Sequence, residues 1–159
     1  MQLKATVDSS VLIALGKLGY LKLAEALFDK LVVPESVLAE IKEDQVCIEV
    51  NKLTEDGLVE VVKSSKYDLL SLLSSSLGKG ESETIALALE LGTDAALLDD
   101  LRARKTARRL NVKVMGTLGL LKVLIDLKLI KEEPEGLCEK LINQGFWTDA
   151  ESCLKILKG

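Results

Sequence analysis

The sequence predicts the α/β fold class, with a central, mostly parallel sheet of about five short strands and helices between them. Short apolar runs alternate along the chain with patterns whose apolar residues recur every three or four positions, as on one face of a helix. The compact unit Ala95–Met115 joins two such runs through a helix, and this connection makes neighbouring strands parallel. At 159 residues, the chain suits one domain with a substantial core.

The predicted strands share short apolar runs bounded by polar or turn-forming residues, and they lie at Leu3–Val7, Leu31–Val33, Leu58–Val62, Ala95–Leu98 and Val112–Met115. An Asp-Ser-Ser break follows the first strand, and the next helix starts with the apolar run Val11–Leu15. Tyr20–Lys30 places leucines on one face and predicts a second amphipathic helix. Pro34 suits the first turn of the helix after the second strand, and Asp56-Gly57 indicates a turn before the third.

The second half of the chain contains a less regular segment and then a regular alternation. Residues Ser64–Gly80 are rich in Ser, Leu and Lys, and we expect a partly helical segment that ends in a hinge and suits a mobile flap. The helical pattern is regular from Glu81 to a capping glycine at Gly92. A basic helix at Leu101–Leu110 precedes the last strand, and a helix at Leu118–Leu127 follows that strand.

The tail of the chain has a different character and predicts a helical hairpin. We expect residues 1–131 to form the main domain and residues 132–159 to form two helices packed on it. Pro134 opens the first of these helices, and Thr148 caps the second. The cysteines are odd in number and widely separated, so we expect buried or half-buried free thiols and no disulfide framework at Cys47, Cys138 and Cys153.

The composition excludes several classes of chemistry. The chain has no histidine, which removes Ser-His-Asp and Cys-His catalysis and histidine metal ligands. The net charge of −4 argues against a basic nucleic-acid binder, although a local basic patch is compatible with it. The aromatic content of 3% argues against a stacking platform for single strands. The opening MQLKATVD lacks the features of a signal peptide, and no apolar run approaches the length of about 20 residues that crosses a bilayer, so we expect a cytoplasmic protein without membrane contact.

Acidic residues occur where the predicted strands end or the helices begin. Asp8 ends the first strand, Asp99-Asp100 ends the fourth, Glu81 starts the helix before the fourth, and Glu40 lies on the helix after the second. Functional groups of a parallel sheet gather at the carboxyl ends of its strands. Like charges share such a cleft when divalent cations offset their repulsion, and carboxylate oxygens suit Mg²⁺ or Mn²⁺. The sequence therefore predicts a metal-binding cleft.

Each acid also has an ordinary structural interpretation. Asp8 and Asp99 are suited to helix capping, Glu81 and Glu83 to the positive end of a helix dipole, and Glu40 to an exposed surface. The structural role is the simpler interpretation for any one of them alone. The set as a whole favours two-metal phosphodiester hydrolysis, which needs no histidine.

The helix after Asp100 carries basic residues that suit a polyanionic substrate. Arg102, Arg104 and Lys105 lie in its first turns, beside the predicted carboxylate cleft. In that position they are candidates to hold the phosphates of the substrate. The alternative for each of them is an ordinary solvated helix face.

Five segments carry a resemblance to a known family, and they are VDSSVLI, VPESVLAEI, GKGESETIALALELG, LLDDLRARKTARRL and VKVMGTLGLLKVLIDLKLI. Their order and spacing over Met1–Lys131 resemble the PIN-domain family, metal-dependent ribonucleases that are common as toxins of bacterial and archaeal toxin–antitoxin pairs. The likeness is greatest to a prokaryotic branch in which GE-x-E replaces an Asp-led helix. The resemblance implies a three-layer α/β/α fold, an RNA substrate, a possible antitoxin partner and often a homodimer.

The resemblance also implies roles for individual residues. It places the catalytic carboxylates at Asp8, Glu40, Glu81 and Asp99 or Asp100, with the register between the last two left open. It implies Mg²⁺ or Mn²⁺ ligands at Asp8, Glu81, Asp99 and Asp100. Ser10 is expected to support the first Asp, and Glu83 is a supporting neighbour of Glu81.

Three functions are compatible with these features, and the least favoured of them is a structural homodimer built on the leucine-rich carboxy-terminal helices. The first is a Mg²⁺- or Mn²⁺-dependent endoribonuclease, acting as the toxin of a toxin–antitoxin pair. The alternative is a non-catalytic PIN-like module that binds RNA or an antitoxin, and it is favoured by the acidic net charge and by Glu at position 81 where most members have Asp.

Overall fold

The computed structural model describes residues 2–159 and confirms the α/β fold class. Its single sheet has five strands, all parallel, in the order β3-β2-β1-β4-β5. The strands are β1 (Lys4–Val7), β2 (Lys30–Pro34), β3 (Val59–Val62), β4 (Ala95–Leu97) and β5 (Val114–Met115). All of them are short, and each lies within or next to a predicted apolar run.

Helices connect and cover the strands. They are α1 (Ser9–Leu18), α2 (Glu35–Glu40), α3 (Asp44–Glu55), α4 (Tyr67–Ser74), α5 (Lys79–Leu91), α6 (Leu101–Arg109), α7 (Thr117–Asp126), α8 (Pro134–Asn143) and α9 (Ala150–Lys158). A 3-10 helix at Leu21–Ala26 joins α1 to β2. None of the helices within residues 2–159 is both long enough and apolar enough to cross a membrane.

Two apolar clusters lie on opposite faces of the sheet and make the protein three-layered. Successive residues of β4 show the division, because Leu97 packs in the cluster with α1, α3 and α7, whereas Ala96 and Leu98 pack in the cluster with α4, α5 and α6. This alternation is that of an extended strand whose neighbouring side chains point to opposite faces. A parallel sheet is stable when both its faces are covered in this way.

The strand order places a switch point at the centre of the sheet. The chain leaves β1 to form β2 and β3 on one side, and it later returns to form β4 and β5 on the other. Val7 of β1 is in register with Leu97 of β4, and the backbone N–H of Asp8 donates to the carbonyl of Leu97 at 3.0 Å. The ends of these two strands therefore lie side by side, which is where open α/β sheets bind their ligands.

Two local predictions were wrong in conformation. The segment predicted as a second amphipathic α-helix forms the 3-10 helix, and its buried Leu21 and Ala24 are three residues apart, the period of that helix. The segment Ser64–Gly80 is partly helical as expected, because it contains α4, and its Leu73 and Leu77 are buried in an apolar cluster, but it does not end in a hinge. Gly78 is the N-cap of α5, so the glycines there start a helix instead of forming a hinge.

The helices α8 and α9 form a hairpin that packs against α7 and α1. A disulfide joins Cys138 of α8 to Cys153 of α9, with a Cα–Cα distance of 5.9 Å. The expectation of free thiols at these positions was therefore wrong. Both cysteines are buried where the two helices face each other, a proximity that arises only when the hairpin closes. Cys47 is a free, half-buried thiol as expected.

Candidate functional site

A cleft of about 810 Å³ opens at the carboxyl ends of β1 and β4. It collects the acidic residues that the sequence places at strand ends and helix starts, and they are Asp8, Glu40, Glu81, Asp99 and Asp100. They come from four separate segments that the parallel sheet brings to one edge, which explains how positions far apart in the chain meet.

Asp8 is the most buried carboxylate of the cleft. It follows β1 directly and is only 5% exposed, and its Oδ1 has no hydrogen-bond partner among the residues that the structure describes. Burial raises its pKa to about 7, and the nearby charges of Glu81, Glu40 and Asp99 act in the same direction. Although Asp8 occupies the N-cap position of α1, its side chain makes no capping hydrogen bond, so helix capping does not account for it.

Glu40 is held in place by both of its oxygens. The backbone N–H of Gly80 donates to Oε1 at 3.0 Å, and the hydroxyl of Ser9 donates to Oε2 at 2.9 Å. A Cβ atom on Gly80 would overlap this carboxylate, so a side chain at that position would displace Glu40 from its hydrogen bonds. Glu40 thus connects the start of α5 to the start of α1.

Glu81 lies in the first turn of α5 and has one oxygen engaged. The backbone N–H of Gly78 donates to its Oε1 at 3.1 Å, which satisfies an amide at the start of the helix. Partial burial raises its pKa, and the charges of Asp100 and Glu40 raise it further. The other oxygen of Glu81 makes no hydrogen bond within the described part of the chain, and the residue lines the cleft.

The two neighbouring aspartates after β4 have different roles. Asp99 accepts hydrogen bonds from the Ser10 hydroxyl at 2.7 Å, from the Thr117 N–H at 2.7 Å and from the Thr117 hydroxyl at 2.8 Å. Asp100 caps α6 by accepting from the N–H of Ala103 at 2.9 Å through Oδ1. Both oxygens of Asp99 therefore accept from protein donors, whereas Oδ2 of Asp100 makes no hydrogen bond in the described chain. Ser10 supports Asp99 and not Asp8, which corrects the expectation for Ser10.

Glu83 does not line the cleft, which corrects the expectation that it supports Glu81 there. Residues two apart on a helix point in different directions, and Glu83 turns into the protein, where it is 5% exposed. It accepts from the N–H and the hydroxyl of Ser36, at 3.0 and 2.7 Å, and from the N–H of Ser64 at 3.0 Å. Burial opposes ionisation, but these hydrogen bonds outweigh it and lower the pKa of Glu83.

The basic helix contributes one residue to the cleft. Arg104 lines it, and the Nε of Arg104 is buried without a hydrogen-bond partner among residues 2–159. Arg102 lies outside the lining and contacts the carbonyl of Ser76 at 3.4 Å. Lys105, one position after Arg104 on the helix, is also outside the lining.

The lining of the cleft also contains residues that sequence reasoning missed. Lys17 comes from α1, and Gln144, Phe146 and Trp147 come from the turn of the α8–α9 hairpin. The position of the three hairpin residues depends on how the hairpin packs against α7 and α1, which no local pattern reveals. The only available signal was a lone tryptophan in the turn of a chain with few aromatic residues.

The carboxylates of the cleft suit a divalent cation by their chemistry but not by their spacing in this conformation. Within residues 2–159 no group of three or more His, Cys, Asp or Glu side chains is close enough to hold a metal ion in this conformation. The chemistry of the cleft nevertheless fits a hard cation, because all its donors are oxygens and the Oδ1 of Asp8 is buried and unpaired. Asp8, Glu81 and Asp100 each keep one oxygen without a hydrogen bond in the described chain, so these residues fit the role of ligands.

Comparisons with known proteins identify the family of the chain. The family model described as "DUF3368: PIN domain" matches residues 4–159. A solved structure similar in fold is a PilT N-terminus domain protein from the hyperthermophilic archaeon Sulfolobus solfataricus P2, with 17% sequence identity and a TM-score of 0.48. The similarity covers 82% of this chain and 98% of that one. The search of curated proteins found no match.

Proposed function

Because the chain belongs to the PIN-domain family, we propose that it is a divalent-metal-dependent ribonuclease that hydrolyses phosphodiester bonds in the carboxylate cleft. The family has a nuclease-type fold, and its members are generally metal-dependent ribonucleases. The observation that carries the proposal is the convergence of acidic side chains around the unpaired oxygen of Asp8 at the switch point of the sheet.

The residues of the cleft have two roles in the proposed reaction, metal binding and the positioning of neighbouring helices. Asp8, Glu81 and Asp100 would hold Mg²⁺ or Mn²⁺, since each has an oxygen that is free of hydrogen bonds within the described chain. When bound, the cation supplies Lewis-acid polarisation of the phosphodiester and offsets the charge of the carboxylates. Asp99 orients the start of α7 through Thr117, and Glu40 holds the start of α5.

Arg104 is suited to bind the phosphate. Its guanidinium lines the cleft, and a planar guanidinium with several donors matches the oxygens of a phosphate group. Arg102 and Lys105 lie outside the lining and are suited to phosphates farther along the RNA, where an exposed charge is sufficient. With no histidine in the chain, proton transfer falls to the carboxylates and to water.

The proposal is tested by an RNA cleavage assay. The purified full chain is incubated with a labelled RNA in Mg²⁺, in Mn²⁺ and in EDTA, beside the variants Asp8→Asn and Glu81→Gln. Glu60→Gln is the matched control, because Glu60 is an exposed carboxylate on β3 outside the cleft. We expect cleavage that EDTA and both cleft variants abolish and that the control retains. Cleavage that survives EDTA and Asp8→Asn would refute the proposal.

A second candidate is a non-catalytic module that binds RNA or an antitoxin. It is favoured by the spacing of the carboxylates, because no three of them within residues 2–159 are close enough to hold a metal ion. Calorimetry with Mn²⁺ separates the two candidates, since micromolar binding that depends on Asp8 supports the nuclease and contradicts this module. The proposal also includes a toxin role with an antitoxin partner. It further includes a homodimer, and light scattering of the full chain measures that oligomeric state.

A further inference from the structure

Helix α2 is short, and its last residue is Glu40, which lines the carboxylate cleft. The helix has six residues, and Val37 is the one side chain that it buries completely. An isolated helix shorter than about 12 residues is marginal in water, and a single buried side chain does not fix its direction or its rotation. Polar contacts at the two ends of α2 therefore determine where Glu40 lies.

The start of α2 is capped by a residue of another helix. Its own N-cap is Pro34, whose side chain has no oxygen and makes no capping hydrogen bond. Glu83 of α5 supplies the missing acceptor, because its Oε1 accepts from the N–H of Ser36 at 3.0 Å and from the Ser36 hydroxyl at 2.7 Å. Its Oε2 accepts from the N–H of Ser64, after β3, at 3.0 Å. Glu83 is buried, so these three donors replace the water that its carboxylate loses.

The end of α2 is held by the same face of α5. Gly80 and Glu83 are three residues apart and lie on one side of α5, against which α2 packs. The N–H of Gly80, which has no partner inside its own helix, donates to Glu40 at 3.0 Å. Helix α2 thus runs antiparallel along α5 with a carboxylate hydrogen bond at each end.

We propose that Glu83 is a positioning residue of the carboxylate cleft. By capping α2 from α5, it holds Glu40 against the N–H of Gly80 and the hydroxyl of Ser9. The contact with Gly80 in turn sets the first turn of α5, where Glu81 lines the cleft. This inference rests on the proposed metal-dependent function, and it gives a role in that function to a side chain that does not itself line the cleft.

The three donors around Glu83 match a carboxylate and not an amide. A glutamine side chain has one acceptor oxygen, and its amino group would face the N–H of either Ser36 or Ser64. Glu83→Gln therefore keeps the size of the side chain but releases either α2 or the segment after β3. Ser36→Ala removes one hydroxyl donor and keeps the backbone N–H, so its effect should be smaller and in the same direction.

The first measurement is hydrogen exchange of the Gly80 amide in the metal-free full chain, followed by NMR in EDTA. We expect Glu83→Gln to accelerate this exchange about tenfold relative to the amides of β1, the equivalent of one hydrogen bond, because Glu40 is no longer held against Gly80. Leu53→Ala is the matched control, because it removes a buried side chain of α3 at the amino end of β3, the edge of the sheet opposite the cleft. It should lower the overall stability without raising this ratio.

The second measurement is calorimetry with Mn²⁺ on the same folded proteins. Glu83→Gln should weaken the Mn²⁺ affinity about 10- to 100-fold, the range for residues that orient metal ligands, whereas Leu53→Ala should leave the affinity unchanged. Because Glu83 acts through Glu40, the two residues are coupled. When Glu40→Ala is already present, Glu83→Gln should change the affinity by less than about twofold. A role in folding alone would not produce this coupling.

The inference is overturned if Glu83→Gln leaves the exchange of Gly80 unchanged, or leaves the affinity unchanged in a chain that binds Mn²⁺. Ser36→Ala decides in the same way if Glu83→Gln does not fold. Equal weakening by Leu53→Ala, or additive effects of Glu83→Gln and Glu40→Ala, would also overturn it. Any of these results beside metal-dependent cleavage would refute this inference alone. Faster exchange of Gly80 in Glu83→Gln, without Mn²⁺ binding by the unmodified chain, would refute the nuclease proposal and support the positioning of Glu40 by Glu83.

Discussion

Replacing Asp8 by Asn is expected to stabilise the metal-free protein at alkaline pH. Asp8 is 5% exposed, its Oδ1 has no hydrogen-bond partner in the described chain, and other carboxylates lie nearby. An ionised side chain in such a place opposes folding, because the charge loses its hydration on burial and the neighbouring carboxylates repel it. Asn keeps the shape of Asp and removes the charge.

The size of the effect follows from the pKa of Asp8, which burial raises from 3.8 to about 7. A raised pKa means that the folded state binds the proton more tightly than the unfolded state, so its contribution to stability is present below pH 4 and is lost as pH rises to about 7. Three pKa units correspond to about 4 kcal/mol of unfolding free energy. Since a buried amide costs about 1–3 kcal/mol in turn, we expect Asp8→Asn to gain about 1–3 kcal/mol at pH 8.

The measurement is urea denaturation in EDTA between pH 4.5 and pH 8.5 for the unmodified chain and for Asp8→Asn. Asp56→Asn is the control, because Asp56 is an exposed carboxylate after α3. We expect the unmodified chain and the control to lose stability over this range more steeply than Asp8→Asn. Saturating Mn²⁺ should stabilise the unmodified chain at pH 8 and have little effect on Asp8→Asn. Parallel pH dependences for all three proteins in EDTA would show that Asp8 carries no buried charge.

Three further predictions concern the framework of the cleft. Gly80→Ala should weaken Mn²⁺ affinity in calorimetry by about tenfold, a typical cost of disturbing the shell around a metal site, because the new methyl group displaces the carboxylate of Glu40. Glu83→Gln should lower the unfolding free energy by about 2 kcal/mol, since it removes a buried, charge-assisted acceptor of three hydrogen bonds. Reduction of the disulfide between Cys138 and Cys153, which are 15 residues apart, should lower the unfolding free energy by about 3 kcal/mol.

Each of these predictions has a matched control. Gly136→Ala should leave Mn²⁺ affinity unchanged, because a methyl group there would meet its nearest atom at 3.8 Å; equal losses in both glycine variants would contradict the close-approach argument. Glu60→Gln, at an exposed carboxylate, should leave the free energy of unfolding unchanged. If Glu83→Gln unfolds with the same free energy as Glu60→Gln, the buried hydrogen bonds of Glu83 do not stabilise the fold. Cys47→Ser should lose as much unfolding free energy on reduction as the unmodified chain does, because Cys47 is a free thiol. If reductant no longer destabilises Cys47→Ser, the effect of the reductant depends on Cys47 and not on the disulfide.

The convergence of carboxylates was predictable because it depends on the sheet and not on local detail. Asp8 and Asp99 each follow a short apolar run, and parallel strands bring such positions to one edge. Glu40 and Glu81 follow from the same alternation, since each lies on a helix that adjoins a strand of that sheet. The fold class and the family were therefore predicted correctly from strand ends, the order of motifs and a single βαβ unit.

What the sequence could not show depends on side-chain direction and on packing between distant segments. Asp99 and Asp100 are adjacent, and only the positions of Thr117 and α6 decide that one is enclosed by donors while the other caps a helix. Glu83 points away from Glu81 because the α-helix turns by more than half a revolution over two residues. The proximity of Cys138 and Cys153 and the position of Trp147 beside the cleft depend on how the α8–α9 hairpin packs against α7.

The central claim, that the cleft between Asp8 and Glu81 is a divalent-cation site, is tested most directly by the anomalous diffraction of a crystal soaked in Mn²⁺. We predict a peak within coordination distance of Asp8 and Glu81, with Asp100 as the next ligand and Asp99 held by its protein donors. Small movements of these side chains would bring the oxygens together around the cation. A soaked crystal with no peak in the cleft, or with manganese bound only elsewhere, would contradict the claim.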